Sequence, residues 1–111
     1  MTAPNLLSLT TITGNANIVT PGTTNTLLVT CSANTLCKIS SIYLSANGDT
    51  SNTFTIKYGT QIYAKVDLGS NAITELVINQ PLYLTENQSL YVVADNAVSA
   101  ATCTLVYETL G

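Results

Sequence analysis

The sequence predicts an all-β fold: a single-domain antiparallel β-sandwich of eight to ten short strands. Three observations carry that expectation. Apolar residues recur at every second position over short runs, which is the period of a half-buried strand. Clusters of Asn, Gly, Ser and Pro punctuate those runs at short, regular spacing, and no stretch of ten residues shows convincing helical periodicity. Thr, Val, Ile and Tyr, whose bulk near Cβ packs well on a pleated surface, recur through the runs.

Leu6 to Ile12 is the first run and Ala16 to Val19 the second, closed by Pro21-Gly22. Thr26 to Ser32 follows, with Leu27, Val29 and Cys31 expected on one face. Leu36 to Ala46 is longer, and its strong positions read Cys37, Ile39, then Ile42, Leu44, Ala46. Period two slips by one residue at Ser40-Ser41, and a β-bulge there keeps both sets pointing inward. Asn47-Gly48-Asp49 signals a turn. Phe54, Ile56 and Tyr58 then alternate against Thr53, Thr55 and Lys57. Beyond Gly59-Thr60, Ile62, Ala64 and Val66 alternate with Tyr63, Lys65 and Asp67, so the pair reads as a hairpin. Ile73 to Ile78, Leu82 to Leu84, Leu90 to Ala94 and Thr102 to Thr109 supply the remaining strands. The glycines stand singly, between runs or at an end, where turn residues are expected. Residues 13–111 form the expected sandwich domain. Residues 1–12 read as an N-terminal strand or interaction arm, pairing either with the edge of the same sheet or with a neighbour's sheet.

Charge is nearly missing. Three lysines and six acids make 8% of the chain, with no Arg and no His, against about 25% in an ordinary soluble domain. In their place stand 19 Thr, 11 Asn and 9 Ser. Without His there is no Ser-His-Asp or Cys-His nucleophile system and no HExxH metal site. The six carboxylates, Asp49, Asp67, Glu75, Glu86, Asp95 and Glu108, are scattered over turns and strand faces rather than paired by any motif. The glycines follow no GxGxxG or GxxxxGK pattern, and no Lys/Arg patch exists to neutralise a phosphate backbone. The expectation is therefore no enzymatic activity, no cofactor, no nucleic-acid partner and no membrane span. The opening residues lack the basic leader and long apolar core of a secretory signal. Cys31, Cys37 and Cys103 are expected to be free, buried thiols of a reducing compartment, with one bridge plus one free thiol as the alternative. The spacing of Cys31 and Cys37 is wider than the CxxC of structural zinc sites.

Six tyrosines are the main recognition feature. Tyr58 and Tyr107 run in phase with core residues. Tyr63 and Tyr91 run out of phase with Ile62/Val66 and Leu90/Val92, which makes them candidates for an outer face or a subunit contact. Few lysines and prolines guard the expected sheet edges, and low charge reduces the cost of desolvating a broad interface. Leu6, Leu7 and Leu9 are candidates for an inter-subunit or partner-contacting strand.

The runs Cys37-Lys38-Ile39-Ser40-Ser41-Ile42-Tyr43-Leu44-Ser45-Ala46-Asn47 and Pro81-Leu82-Tyr83-Leu84-Thr85-Glu86-Asn87-Gln88-Ser89-Leu90-Tyr91-Val92, with the ending Cys103-Thr104-Leu105-Val106-Tyr107-Glu108, resemble small β-sandwich virion proteins of tailed bacteriophages. The resemblance spans roughly residues 26–110 and lies in a pattern of strands and turns. It implies a jelly-roll-like fold, often trimeric, with a structural role in the virion, which is assembled in the host cytoplasm. Capsid cement or decoration proteins that bind the major capsid protein are the leading expectation. A tail, baseplate or fibre-associated subunit is the second, and a carbohydrate-binding module using Tyr63 or Tyr91 is the rival from another class. Where such relatives often carry Gly in the tight turn before the Leu-x-Val strand, this chain has Asn87, which also tolerates positive φ.

Overall fold

Among the described residues, nine strands pair into two antiparallel sheets, one of five strands and one of four. The computed structural model describes residues 12–46, 51–69, 72–76, 82–96 and 100–111. The strands are β1 (Ile12–Val19), β2 (Thr26–Thr30), β3 (Leu36–Ser45), β4 (Ser51–Tyr58), β5 (Gln61–Gly69), β6 (Ile73–Leu76), β7 (Leu82–Leu84), β8 (Ser89–Ala94) and β9 (Thr102–Leu110). The larger sheet runs β1-β9-β3-β6, with β7 also on β3; the smaller runs β2-β8-β4-β5. Apart from β4–β5 and β6–β7, every consecutive pair of strands changes sheet. That order is a jelly-roll arrangement, as the resemblance implied.

The core lies between the sheets. Phe54, Ile56, Leu90 and Val92 of the smaller sheet and Ile39, Ile42, Leu44 and Leu105 of the larger are all sealed from solvent. Burying each large aliphatic or aromatic side chain contributes about 1.5–3 kcal/mol, so this seam supplies most of the drive to fold. Tyr58 and Tyr107 pack against it, as their phase predicts. All three cysteines are buried and free.

The expected bulge in β3 is present. Ile39 pairs with Tyr107 and Ser41 with Val106, leaving Ser40 as the extra residue. Cys37 and Ile39 before it, and Ile42 and Leu44 after it, all face the core. The bulge also divides the far edge of β3, since β7 covers Cys37–Ile39 and β6 covers Ile42–Ser45.

Two further bulges overturn the sequence phasing. In β2, Leu27 pairs with Tyr91 but Val29 pairs with Leu90, so Leu28 is the inserted residue. Leu28, Val29 and Cys31 turn inward, and Leu27, expected beside Val29 and Cys31, is 50% exposed on the outer face. In β5, Ala64 pairs with Ile56 but Ile62 pairs with Lys57, which leaves Tyr63 unpaired. Ile62, expected in phase with Ala64 and Val66, is therefore turned outward and 60% exposed.

Other expectations shift at strand ends. Gly14 lies inside β1, opposite Glu108, rather than in a turn. The second run extends back to Ile12, because all eight residues of β1 pair with β9. Leu6, Leu7 and Leu9, the Asn47-Gly48-Asp49 turn and the segment from Val77 to Pro81 lie outside the described residues. Gly59 opens the β4–β5 turn with φ of 61°, the glycine-first pattern of a type II′ hairpin.

Candidate functional site

The outer face of the smaller sheet carries an unbroken row across all four strands. Leu27 on β2 faces Tyr91 on β8, Tyr91 faces Lys57 on β4, and Lys57 faces Ile62 on β5. Neighbours in such a row hold their Cβ atoms about 4.5–5.5 Å apart, so the four side chains form one surface. It exists because of the bulges at Leu28 and Tyr63, which move Leu27 and Ile62 from the core to the outside. The only formal charge in the row belongs to Lys57, and its Nζ reaches Asn25 Oδ1 at 3.4 Å. Farther along the face, Thr53 Oγ1 donates to Asp67 Oδ1 at 2.7 Å.

Of the tyrosines singled out from phase, Tyr91 sits half-buried in this row and Tyr63 is exposed at the bulge beside Ile62. Register thus places Tyr91 in the row, and Tyr63 stands at its β5 end, next in sequence to Ile62. Leu27 and Ile62 were missed, because nothing in the sequence marks either slip.

The larger sheet presents a second, more broken face. Ile18 on β1 is 70% exposed and Ile73 on β6 is 75% exposed. Between them, Thr104 and Tyr43 continue the register from Ile18 to Glu75, and Ser45 stands opposite Ile73. Lys38 and Glu108 oppose each other on this face, with Tyr83 as the next neighbour of Lys38.

At one end of the sandwich, Tyr58, Gly59, Thr60, Asn87, Gln88, Ser89 and Tyr91 line an open depression of 390 Å³. The Tyr58 hydroxyl and Gln88 Oε1 are already engaged there. Tyr58 Oη donates to Gln88 Oε1, which also accepts from Thr85 N at 2.8 Å and Thr85 Oγ1 at 2.9 Å. Burial, followed by the nearby Cys31 sulfur, raises the Tyr58 phenol above its ordinary range. Asn87 holds φ of 65°, the conformation expected of it in the tight turn. A shallower opening lies on the flank where β1 passes β2, and there Asn17 Nδ2 donates to Leu28 O at 2.8 Å.

The same end holds two of the cysteines. Burial, then the adjoining Cys31 thiol, pushes Cys37 up to about 12, against a smaller lowering contribution from Thr109. Cys103, held apart on β9, is also pushed up to about 12 by burial alone. Thiols held protonated in this way are poor nucleophiles and poor metal ligands. Among the described residues, no group of three or more His, Cys, Asp or Glu side chains is placed to hold a metal ion. No helix among them is long and apolar enough to cross a membrane.

No protein-family model matches the chain, and no curated protein and no solved structure matches it either. What is established is the class: an all-β antiparallel sandwich, with nine strands among the described residues.

Proposed function

We propose that the chain is a non-enzymatic structural protein of a bacteriophage virion, a capsid cement or decoration protein. It acts as a homotrimer that fastens adjacent coat subunits through distributed burial. The observation that carries this reading is the uncovered row Leu27–Tyr91–Lys57–Ile62. Large apolar side chains gathered on one face, with little charge among them, favour a protein partner over water. The strand and turn resemblance to phage virion proteins supplies the setting, and the jelly-roll strand order is compatible with it.

The carbohydrate-binding alternative gains little from the depression beside Tyr91. Sugar recognition needs polar groups left free to bond hydroxyls, and the Tyr58 hydroxyl and Gln88 Oε1 are already bonded to each other there. A tail, baseplate or fibre subunit would rest on the same apolar face, so location has to be measured.

The experiment compares the full chain with a chain lacking residues 1–12, where Leu6, Leu7 and Leu9 form the proposed contact arm. Light scattering is expected to give a trimer mass for the full chain, and sedimentation is expected to carry it down with capsids. Removing the arm abolishes one or both. Pelleting with tails instead would move the assignment to the tail. A monomer that pellets with neither, or a truncation that changes neither property, would sink the corresponding half of the proposal.

A further inference from the structure

We propose that Cys31 and Cys37 are a disulfide-forming pair that ties the two sheets together, while Cys103 stays a free thiol. Cys31 extends the smaller sheet by one residue beyond β2, since its N–H donates to Gln88 O and its carbonyl accepts from Asn87 N, both at 2.9 Å. Cys37 is the second residue of β3 in the larger sheet, opposite Thr109 and Leu84. The segment between them crosses from sheet to sheet as a fixed turn. Thr35 N and Thr35 Oγ1 both bond Ser32 O, at 3.3 and 2.9 Å, and Asn34 takes φ of 62°. The Cys31 sulfur is aimed along that turn, 3.4 Å from Thr35 O and 3.3 Å from Thr35 Oγ1. Cys31 and Cys37 both belong to the one buried cluster between the sheets, and the Cys37 thiol lies within interaction range of the Cys31 sulfur. Both sulfurs are buried in the core, and among the described residues neither belongs to a group of three or more side chains placed to hold a metal ion.

The oxidant is a low-molecular-weight disulfide such as oxidised glutathione. One protein thiol gives up its proton and attacks a glutathione sulfur, forming a mixed disulfide and releasing one reduced glutathione. The second protein thiol gives up its proton and attacks the mixed disulfide at the protein sulfur, releasing the other reduced glutathione. The two cysteines are oxidised by two electrons, and one oxidised glutathione is reduced to two thiols. Burial makes this slow in the folded chain, because the reacting species is the thiolate. The bond therefore forms most readily while the chain folds, and the fold then protects it.

The native full-length chain supplies the test. It is unfolded, refolded in buffers of graded reduced-to-oxidised glutathione ratio, alkylated and digested. The chain has Lys only at 38, 57 and 65 and no Arg, so trypsin leaves Cys31 and Cys37 together in residues 1–38 and Cys103 alone in 66–111. Fragment 1–38 is expected to escape alkylation and to be about 2 Da lighter than its reduced form, the mass of two hydrogens. Fragment 66–111 carries one alkyl group. The glutathione ratio that half-reduces the bond is expected to shift at least tenfold between refolded and denatured chain, and the oxidised protein melts several degrees higher, roughly 5 °C or more. A refolded chain that holds the bond no better than the denatured chain would overturn the proposal, because the native geometry would then be rejecting it. So would a link that joins Cys103 to either partner. No cysteine variant is needed, so failure to fold does not cloud the result.

Discussion

Asn52 and Asn96 exchange two hydrogen bonds: Asn52 Nδ2 donates to Asn96 O at 2.8 Å, and Asn96 N donates to Asn52 Oδ1 at 3.1 Å. Asn52 is the buried polar side chain among the described residues, and it stands on the inward phase of β4 two residues before Phe54. The bonds fix the chain as it leaves β8, reinforced by Asp95 N donating to Thr53 O at 3.0 Å.

Asn52→Ala is therefore expected to destabilise the fold by about 1–2 kcal/mol, because it removes both bonds that hold the exposed Asn96 backbone against β4 and leaves a gap at a buried position. Denaturant unfolding checks this through a lower midpoint at unchanged slope. An effect within about 0.5 kcal/mol, the range of an ordinary surface change, would mean that water replaces the side chain without loss.

The β3 bulge makes a sharper prediction. Deleting Ser40 removes the extra residue, so Cys37, Ile39, Ile42 and Leu44 fall in one unbroken period of two. Both apolar sets then stay inward without a bulge, with Ile39 and Ser41 still opposite Tyr107 and Val106, and that variant is expected to keep cooperative unfolding. Deleting Ser40 and Ser41 together makes Ile39 and Ile42 adjacent and sends one apolar pair outward. That costs several kcal/mol by the usual burial scale, so the double deletion is expected to lose cooperative unfolding. Ser40→Ala keeps the extra residue and should stay within about 1 kcal/mol of the parent. Near-UV circular dichroism and denaturant titration separate the two outcomes.

This contrast also explains how much was readable beforehand. The bulge at Ser40 is legible because strong apolar positions on both sides report the phase before and after the slip. At Tyr63 only Ile62 precedes the slip, and one apolar residue fits either face. At Leu28 the run Leu27-Leu28-Val29 is apolar throughout, so alternation carries no phase there. The outer row was invisible for that reason, although its central member Tyr91 was found by phase in β8, where Leu90, Val92 and Ala94 alternate without a break. The meeting of Cys31 and Cys37 depends on a turn that changes sheets, which local periodicity does not encode.

Turn chemistry is testable at two positions. Gly59 and Asn87 both hold positive φ, and a Cβ on Gly59 would meet nothing within 4 Å. Substituting Gly59→Ala should thus cost about 1 kcal/mol, through backbone strain rather than collision. At Asn87 the expectation reverses: Asn87→Gly is near neutral, and Asn87→Val costs about 1–2 kcal/mol, since a β-branched residue resists this conformation. Paired thermal melts read both. Equal stability of the Gly and Val variants at 87 would remove strain as the explanation for Asn there.

Alkaline pH should weaken the fold. Cys103 is pushed up to about 12 by burial, well above the ordinary thiol value of about 8.5. Below that value both folded and unfolded chains keep the proton, and the contribution is complete. Above it the unfolded chain releases its proton first, so stability falls with rising pH, by up to about 1.4 kcal/mol per pH unit for one such thiol, until the folded thiol ionises near 12. Tyr58, and in the reduced chain Cys37, are also raised and add to the loss in the same direction. Stability measured from pH 8 to about 11 is expected to decline, and Cys103→Ala should decline less steeply whatever its starting stability. A flat profile over that range would contradict the burial of these groups.

The outer row yields the last prediction. Leu27 and Ile62 are half or more exposed, so Lys at either position removes little core packing and should leave stability within about 0.5 kcal/mol. If the row is the assembly surface, an added ammonium must be stripped of water with only Lys57, of the same sign, as its charged neighbour in the row. Leu27→Lys and Ile62→Lys should therefore each lower the assembled mass at fixed concentration, and the double variant should be monomeric. Ile18→Lys and Ile73→Lys, on the broken face of the other sheet, serve as the comparison and should leave the mass unchanged. The two rows differ in composition: in the second, Ile18–Thr104–Tyr43–Glu75, polar Thr104 separates Ile18 from Tyr43 and Ile73 faces Ser45, whereas in the first Leu27 and Tyr91 are direct neighbours. Loss of assembly only in the Ile18 and Ile73 variants would transfer the interface to the larger sheet, and loss in neither set would leave the N-terminal arm as its carrier.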